Sequence, residues 1–371
     1  MHWSEIPAVS LSVLRRGAVI PAHLLALDAG RRLDVRRQRA LSRYYLDAGV
    51  GGMAVGVHST QFAIREAGLY RPVLELALQT ARDWSPLGGR QPLCMVAGVA
   101  GQTAQALAEA ATAQAIGYHA ALLSLAAMSG SSEDELIAHC QAVAGVMPLI
   151  GFYLQPAIGG IVLGTRFWQR FAQIDNVIAI KMAPFNRYRT LDVLRGVVAA
   201  RAEQRITLYT GNDDHIVLDL VTPFAIRRGA ETVLLRIRGG LLGHWSVWTR
   251  RAVELLERLQ RAVHAGAISP ELLALDSQVT DCNAALFDVA HEFRGCIAGC
   301  HEVLRRQGLF EGIWCLDPRE GLSPGQAEEI SRVHAAWPEL NDDAFVTSHL
   351  QHWLGDPDRF PVPTHQPMET P

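Results

Sequence analysis

The chain has 371 residues, 49% hydrophobic and 19% charged, enough for a large core: one barrel of roughly 250 residues with an extension, or two domains. A net charge of −3 without any basic block excludes a nucleic-acid footprint or an anionic membrane surface, leaving small molecules as the expected partners. No uninterrupted run approaches the roughly 18 apolar residues of a membrane span, and six cysteines without a secretion signal read as reduced thiols, so the expected compartment is the cytoplasm.

Strand-like runs recur along the chain with helix-like segments between them. They are Ala18–Ala22, Gly52–Val57, Leu93–Val99, Ala120–Leu125, Pro148–Leu154, Val177–Lys181, Ile206–Thr210 and Thr232–Ile237. The spacing, roughly 26 to 41 residues, is that of a strand, a helix and two loops, and the runs are apolar without alternation, as strands buried on both faces are. Segments such as Thr103–Ile116 and Asp134–Val146 have helical spacing. Eight such units predict a (β/α)₈ TIM barrel over residues 1–250, with a doubly wound sheet as the alternative. From 251 to 354 the pattern is all helical, with Val253–Ala265, Pro270–Ala274, Asn283–Gln307 and Pro324–Ala336 carrying apolar residues at three- and four-residue spacing. A Pro-rich tail follows over 355–371.

Lys181 is singular: of the 34 Lys and Arg residues, every other one is an arginine. An arginine is in effect never deprotonated, whereas a desolvated lysine loses its proton near neutral pH and becomes an amine nucleophile. In a barrel, reactive groups stand at the C-terminal ends of the strands. Those ends carry Gly56, His58, Ser59 and Thr60 after strand two, Tyr153 on strand five, Lys181 on strand six, Gly211 to Asp214 after strand seven, and Arg236, Arg238 and Gly239 at strand eight. An amine at Lys181 can attack a keto group and form a Schiff base, whose iminium drains electrons from the bond to be broken, with Tyr153 on the neighbouring strand shuttling the proton. His58 is a candidate for acid–base work or carboxylate binding. Asp213, Asp214 and His215 suit hydroxyls of a sugar acid, a metal, or simply a helix cap. Arg236 and Arg238 suit an anion beside Gly239, or internal carboxylates such as Glu66. Cys296, Cys300 and His301 cluster, but read as a helix interface more readily than as a metal site. Neither a cofactor nor a bound metal is expected.

Three stretches carry a family resemblance: Gly56 after an apolar strand, Phe152-Tyr153-Leu154-Gln155-Pro156-Ala157-Ile158-Gly159-Gly160, and Ile174-Asp175-Asn176-Val177-Ile178-Ala179-Ile180-Lys181. Together they resemble the dihydrodipicolinate synthase and N-acetylneuraminate lyase superfamily, from about Val19 to beyond Arg250. The resemblance implies a class I aldolase in which Lys181 forms a Schiff base with pyruvate or another 2-oxo acid, Tyr153 is the proton-transferring phenol, and the chains assemble as dimers or tetramers. The chain also departs from the family. The strand-two loop, Gly-Thr-Thr-Gly-Glu or similar in relatives, reads Gly56-Val57-His58-Ser59-Thr60-Gln61; Ile158 replaces the synthase arginine; and Leu125-Ala126-Ala127-Met128-Ser129 replaces its Tyr-Tyr segment. The expected reaction is thus aldol cleavage or condensation of a 2-oxo acid and an aldehyde, or dehydration of a sugar acid, rather than lysine biosynthesis. The competing classes are a metal-dependent barrel built on His58, Glu66, Asp213 or His215, and a non-catalytic barrel that binds a small acid.

Overall fold

Residues that alternate in sequence here diverge in space, one set into the barrel axis and the other into the helical shell, which is why the strands read as continuous apolar runs. The computed structural model describes residues 1–355 apart from Ser85, Leu87 and Arg90; the tail expected beyond Gly355 lies outside the described residues. In chain order the first half comprises α1 (Ala8–Arg16), β1 (Val19–Pro21), α2 (Val35–Ala48), β2 (Gly52–Val55), α3 (Tyr70–Asp83), β3 (Cys94–Val99), α4 (Thr103–Ile116), β4 (Ala120–Leu123) and α5 (Glu133–Ala144). There follow β5 (Leu149–Leu154), α6 (Thr165–Ala172), β6 (Val177–Ala183), α7 (Arg187–Ala199), β7 (Thr207–Thr210), α8 (Ile216–Val221), β8 (Phe224–Arg228), β9 (Glu231–Leu235) and β10 (Gly239–Leu242). Five helices end the described chain: α9 (Thr249–Ala265), α10 (Pro270–Leu286), α11 (Cys296–Arg306), α12 (Gln326–Ala336) and α13 (Asp343–Leu354).

Eight strands pair in the order β1-β10-β7-β6-β5-β4-β3-β2, all in parallel. The two ends of that order meet where Ala22 bridges Ala54, with the His23 N–H donating to the Ala54 carbonyl at 2.8 Å, so the sheet closes on itself. The eighth barrel strand is β10, not Thr232–Ile237. That run instead supplies β9 of an antiparallel hairpin with β8 outside the barrel, turned through Gly229 at φ 60°. β10 begins Gly239-Gly240 because nothing larger fits: a Cβ at Gly239 would lie 2.5 Å from the backbone of Ala18, and one at Gly240 would lie 2.4 Å from the Trp245 ring. The glycines that packing requires are the same ones that hide the strand from propensity.

Helix boundaries follow local capping. Asp34 accepts the Arg37 N–H at 3.0 Å to start α2, and Ser132 with Glu135 forms a capping box on α5. The N-terminal end of the barrel is plugged by α1, whose Leu11 and Leu14 join Ile20, Cys94, Val96, Ile150 and Tyr209 in the axial core. The Tyr209 hydroxyl donates to the Leu14 carbonyl at 2.8 Å. The C-terminal helices share the outer core: Leu256, Leu275, Val333 and Trp353 are continuous with the residues that α2, α3 and α6 bury. α10 runs on to Leu286, well past Ala274, and the helix expected over Asn283–Gln307 is broken after residue 286. Asp288, Glu292 and Phe293 take positive φ there, and Asp288 ties the break by accepting from the Gly295 N–H at 3.0 Å and bonding His291 at 2.6 Å. No helix among the described residues is long and apolar enough to cross a membrane.

Candidate active site

Lys181 stands near the C-terminal end of β6, in register with Phe152 of β5 and Tyr209 of β7. Only 8% exposed, its side chain rises along the barrel axis and places Nζ 4.4 Å from the centre of the Phe152 ring. Gly211 makes the channel for it, since a Cβ there would lie 2.5 Å from Lys181 Cε. Nζ has no hydrogen-bond or ion-pair partner among the described residues, and burial pulls its pKa down from 10.5 to about 8, opposed by the charge of Asp213.

Asp213 follows β7 and is 5% exposed. Its Oδ1 accepts the His244 N–H at 2.9 Å, while Oδ2 has no partner among the described residues. Burial pushes this carboxyl up to about 7, opposed by the His244 bond and by Lys181. The turn that carries it is fixed by Asn212, whose Oδ1 accepts the Phe185 N–H at 3.0 Å and whose Nδ2 donates to Asp219 at 2.9 Å. Asp219 is in turn paired with Arg187 at 2.5 Å and with the Thr210 hydroxyl at 2.7 Å. Asp214 and His215 are engaged elsewhere, with Arg187 at 3.5 Å and Asp276 at 3.1 Å.

Tyr153 is not beside the lysine. Successive strand residues face opposite sides, and because Phe152 is the partner of Lys181, Tyr153 points outward into the helical shell. There it packs 5.2 Å from Trp168, and its hydroxyl accepts the Leu163 N–H at 3.1 Å. Phe152, passed over in the sequence, takes the inward place. Arg236, Arg238 and Gly239 are likewise corrected: with β10 as the eighth strand they lie at the N-terminal end of the barrel, away from Lys181. Arg238 is exposed, Arg236 donates to the Val221 carbonyl at 3.0 Å, and Glu66 is exposed and engages neither.

The β2 loop does reach the mouth. Gly56 has φ 77°, and its N–H donates to the Thr60 hydroxyl at 3.0 Å, which itself donates to the His23 carbonyl at 2.6 Å. Thr60 is thereby a strut of the loop, and Val57 turns into the axial core. His58 and Ser59 remain half-buried, with side chains unpartnered in hydrogen bonds among the described residues. Burial, reinforced by the charge of Lys181, lowers the His58 pKa to about 4, so the ring is neutral at pH 7. Arg65 anchors this loop from below through a buried pair with Glu109 at 2.8 Å and a bond to the Gly98 carbonyl at 3.1 Å.

The C-terminal region roofs the mouth. The Leu316 N–H donates to Gln61 at 2.6 Å, Arg31 bonds the Cys315 carbonyl, and Phe293 meets Phe185 edge-to-face at 5.8 Å. Cys296 and Cys300 come close enough for the charge of Asp213 to act on them, but all six cysteines are free and both thiols are raised, chiefly by burial. Periodicity marked these segments as helical without indicating that they cross the barrel mouth. Among the described residues no three His, Cys, Asp or Glu side chains converge as a metal site requires, and His58, Glu66, Asp213 and His215 stand apart.

Comparison with known proteins agrees with this architecture. The model of the dihydrodipicolinate synthetase family matches residues 16–225. The 4-hydroxy-tetrahydrodipicolinate synthase of Kosmotoga olearia is 24% identical over 186 residues, which are 50% of this chain and 60% of that protein, short of two thirds of its length. Among solved structures, the dihydrodipicolinate synthase of Acinetobacter baumannii complexed with pyruvate superposes with a TM-score of 0.69 at 17% identity, covering 87% of this chain and 98% of that one. The N-acetylneuraminate lyase of Fusobacterium nucleatum gives 0.66 at 15% identity, covering 86% and 98%. These similarities establish a shared barrel, and with a family match over more than half its length the chain belongs to the dihydrodipicolinate synthetase family.

Proposed function

We propose that this protein is a class I lyase or aldolase that forms a Schiff base between Lys181 and a 2-oxo acid of the pyruvate type, or the aldol adduct of one. The observation that carries the reading is the lysine itself: the sole lysine, at the mouth end of a barrel strand, buried, unpaired and lowered toward neutrality by desolvation. Family membership and the pyruvate held by the Acinetobacter relative support the same chemistry.

The amine attacks the C2 carbonyl, a carbinolamine forms and loses water, and the resulting iminium accepts the electron pair of the C3–C4 bond as it breaks, releasing an aldehyde and leaving an enamine. Protonation at C3 and hydrolysis then return the lysine and release the 2-oxo acid. Neutral His58 and the Ser59 hydroxyl, on the β2 loop, hold the substrate carboxylate. Phe152 walls the chamber and keeps the amine desolvated. Asn212, Asp214 and His215 are committed to internal partners, which favours aldol cleavage over dehydration of a hydroxyl-rich sugar acid. Assembly into dimers or tetramers belongs to the same reading and is read by sedimentation velocity.

Enamine formation has a direct signature: in D₂O, pyruvate incubated with the protein exchanges its methyl protons, followed by proton NMR. The exchange is expected to be abolished in Lys181→Arg and insensitive to a chelator. Undiminished exchange in Lys181→Arg would contradict the proposal.

A further inference from the structure

With Tyr153 turned outward, the chamber around Lys181 lacks the phenol that the resemblance implies, yet a Schiff-base reaction moves a proton at every step. Tyr209, the tyrosine in register with the lysine, spends its hydroxyl on Leu14 at the closed end. The groups that do border the amine are Phe152 on β5, His58 after β2, and Asp213 after β7.

We infer that Asp213 is the acid–base partner of Lys181, holding and moving the protons of the reaction through its free Oδ2. Three features of the geometry point to it. The carboxyl is anchored at one oxygen only, by the His244 N–H, leaving the other without a hydrogen bond among the described residues. The turn beneath it is made rigid by the Asn212–Asp219–Arg187 network, so the carboxyl is positioned before substrate arrives. The lysine side chain lies against Gly211, two residues earlier on the same turn, so the two groups are presented to the same carbonyl. The assignment rests on the Schiff-base reading above.

The balance of each step is simple. As Nζ attacks C2, the protonated carboxyl gives its proton to the carbonyl oxygen, and Nζ returns one to the carboxylate. The carboxyl then protonates the departing hydroxyl, which leaves as water as the iminium forms. In cleavage, the carboxylate takes the proton of the C4 hydroxyl while the C3–C4 electron pair moves into the iminium, and the carboxyl returns that proton to C3. No oxidant, reductant or metal is consumed. Lys181 from β6 and Asp214 beside it act on the charge of Asp213, the backbone of His244 after β10 binds it, and Cys296 and Cys300 from α11 feel its charge.

The test pairs two readouts on the parent chain and on Asp213→Asn, whose amide oxygen can still accept the His244 N–H. Borohydride trapping of pyruvate reports the imine; methyl exchange in D₂O, measured at saturating pyruvate, reports proton transfer at C3. Asp213→Asn is expected to trap pyruvate at Lys181 while losing about 10²–10⁴-fold in exchange, the usual contribution of a positioned acid or base. The parent exchange should rise with pH through a carboxyl inflection that Asp213→Asn lacks. Exchange and pH profile unchanged in Asp213→Asn would overturn the assignment of Asp213 alone, whereas no adduct in the parent would overturn the Schiff-base reading and this assignment with it. If Asp213→Asn does not fold by circular dichroism, Asp213→Glu replaces it. A displaced inflection with reduced exchange supports the role, and a profile identical to the parent's overturns it.

Discussion

Replacing Gly211 with alanine tests how much the position of the lysine depends on the channel that this glycine opens. The residue is not in the left-handed region, so alanine meets no backbone strain, and the whole penalty comes from contacts. The new Cβ would lie 2.5 Å from Lys181 Cε, 2.9 Å from Ala183 Cβ and 3.0 Å from Lys181 Cγ. The Gly211 backbone is held by its N–H donating to the Met182 carbonyl at 2.6 Å, so the lysine side chain is the part that yields. Restoring ordinary carbon–carbon contact at roughly 3.5 Å requires it to withdraw by about 1 Å. Overpacking of this kind costs about 1–3 kcal/mol of stability, and a misplacement of about 1 Å at a nucleophile costs on the order of 10²-fold in rate. Denaturant titration and the pyruvate exchange rate measure the two separately. Exchange within about threefold of the parent, in a protein of unchanged stability, would show that Gly211 does not set the place of the lysine.

Tyr153→Phe is expected to leave pyruvate trapping and exchange intact while removing about 1 kcal/mol, the hydroxyl that caps the Leu163 N–H, as read by urea unfolding. A collapse of exchange without loss of stability would return the phenol to the chemistry. Lys181→Met is expected to be more stable than the parent below about pH 8. There the parent lysine is charged in both states and bears the full burial penalty; between about 8 and 10.5 only the unfolded lysine is protonated, so parent stability rises with pH and the difference shrinks. The advantage should be about 1–3 kcal/mol by chemical denaturation, part being offset as Asp213 loses its cation. Arg65→Ala strands Glu109 in the interior, and about 3–5 kcal/mol should be lost in the same assay.

The barrel was legible because its strands are buried on both faces: seven of the eight runs, from Ala18–Ala22 to Ile206–Thr210, coincide with barrel strands. The eighth was hidden by the close approach of β10 to Ala18, Tyr209 and Trp245, which demands glycines where a strand would advertise β-branched residues. Misplacing that strand misplaced Arg236, Arg238 and Gly239 with it, since the choice of strand decides which end of the barrel a residue occupies. Lys181 stood out by chemistry, as the one titratable amine among guanidiniums. Tyr153 is turned away from the axis because two adjacent strand residues, Phe152 and Tyr153, cannot both face it. The inward one is chosen by the pairing of β5 with β6, which shifts register between Leu149 and Ile150 and is a non-local property. The commitment of Thr60 to His23, and the roof laid over the mouth by residues 287–316, are tertiary contacts that periodicity does not encode.

The nitrogen of Lys181 is where the functional reading is most exposed to experiment. Pyruvate is added to the protein with borohydride, and the digested chain is weighed by mass spectrometry. The reading predicts that the peptide containing Lys181 gains the mass of pyruvic acid less one oxygen, and that the gain is absent without borohydride and absent in Lys181→Arg. A chain that carries no such mass with pyruvate or any other 2-oxo acid, while remaining folded, would contradict it.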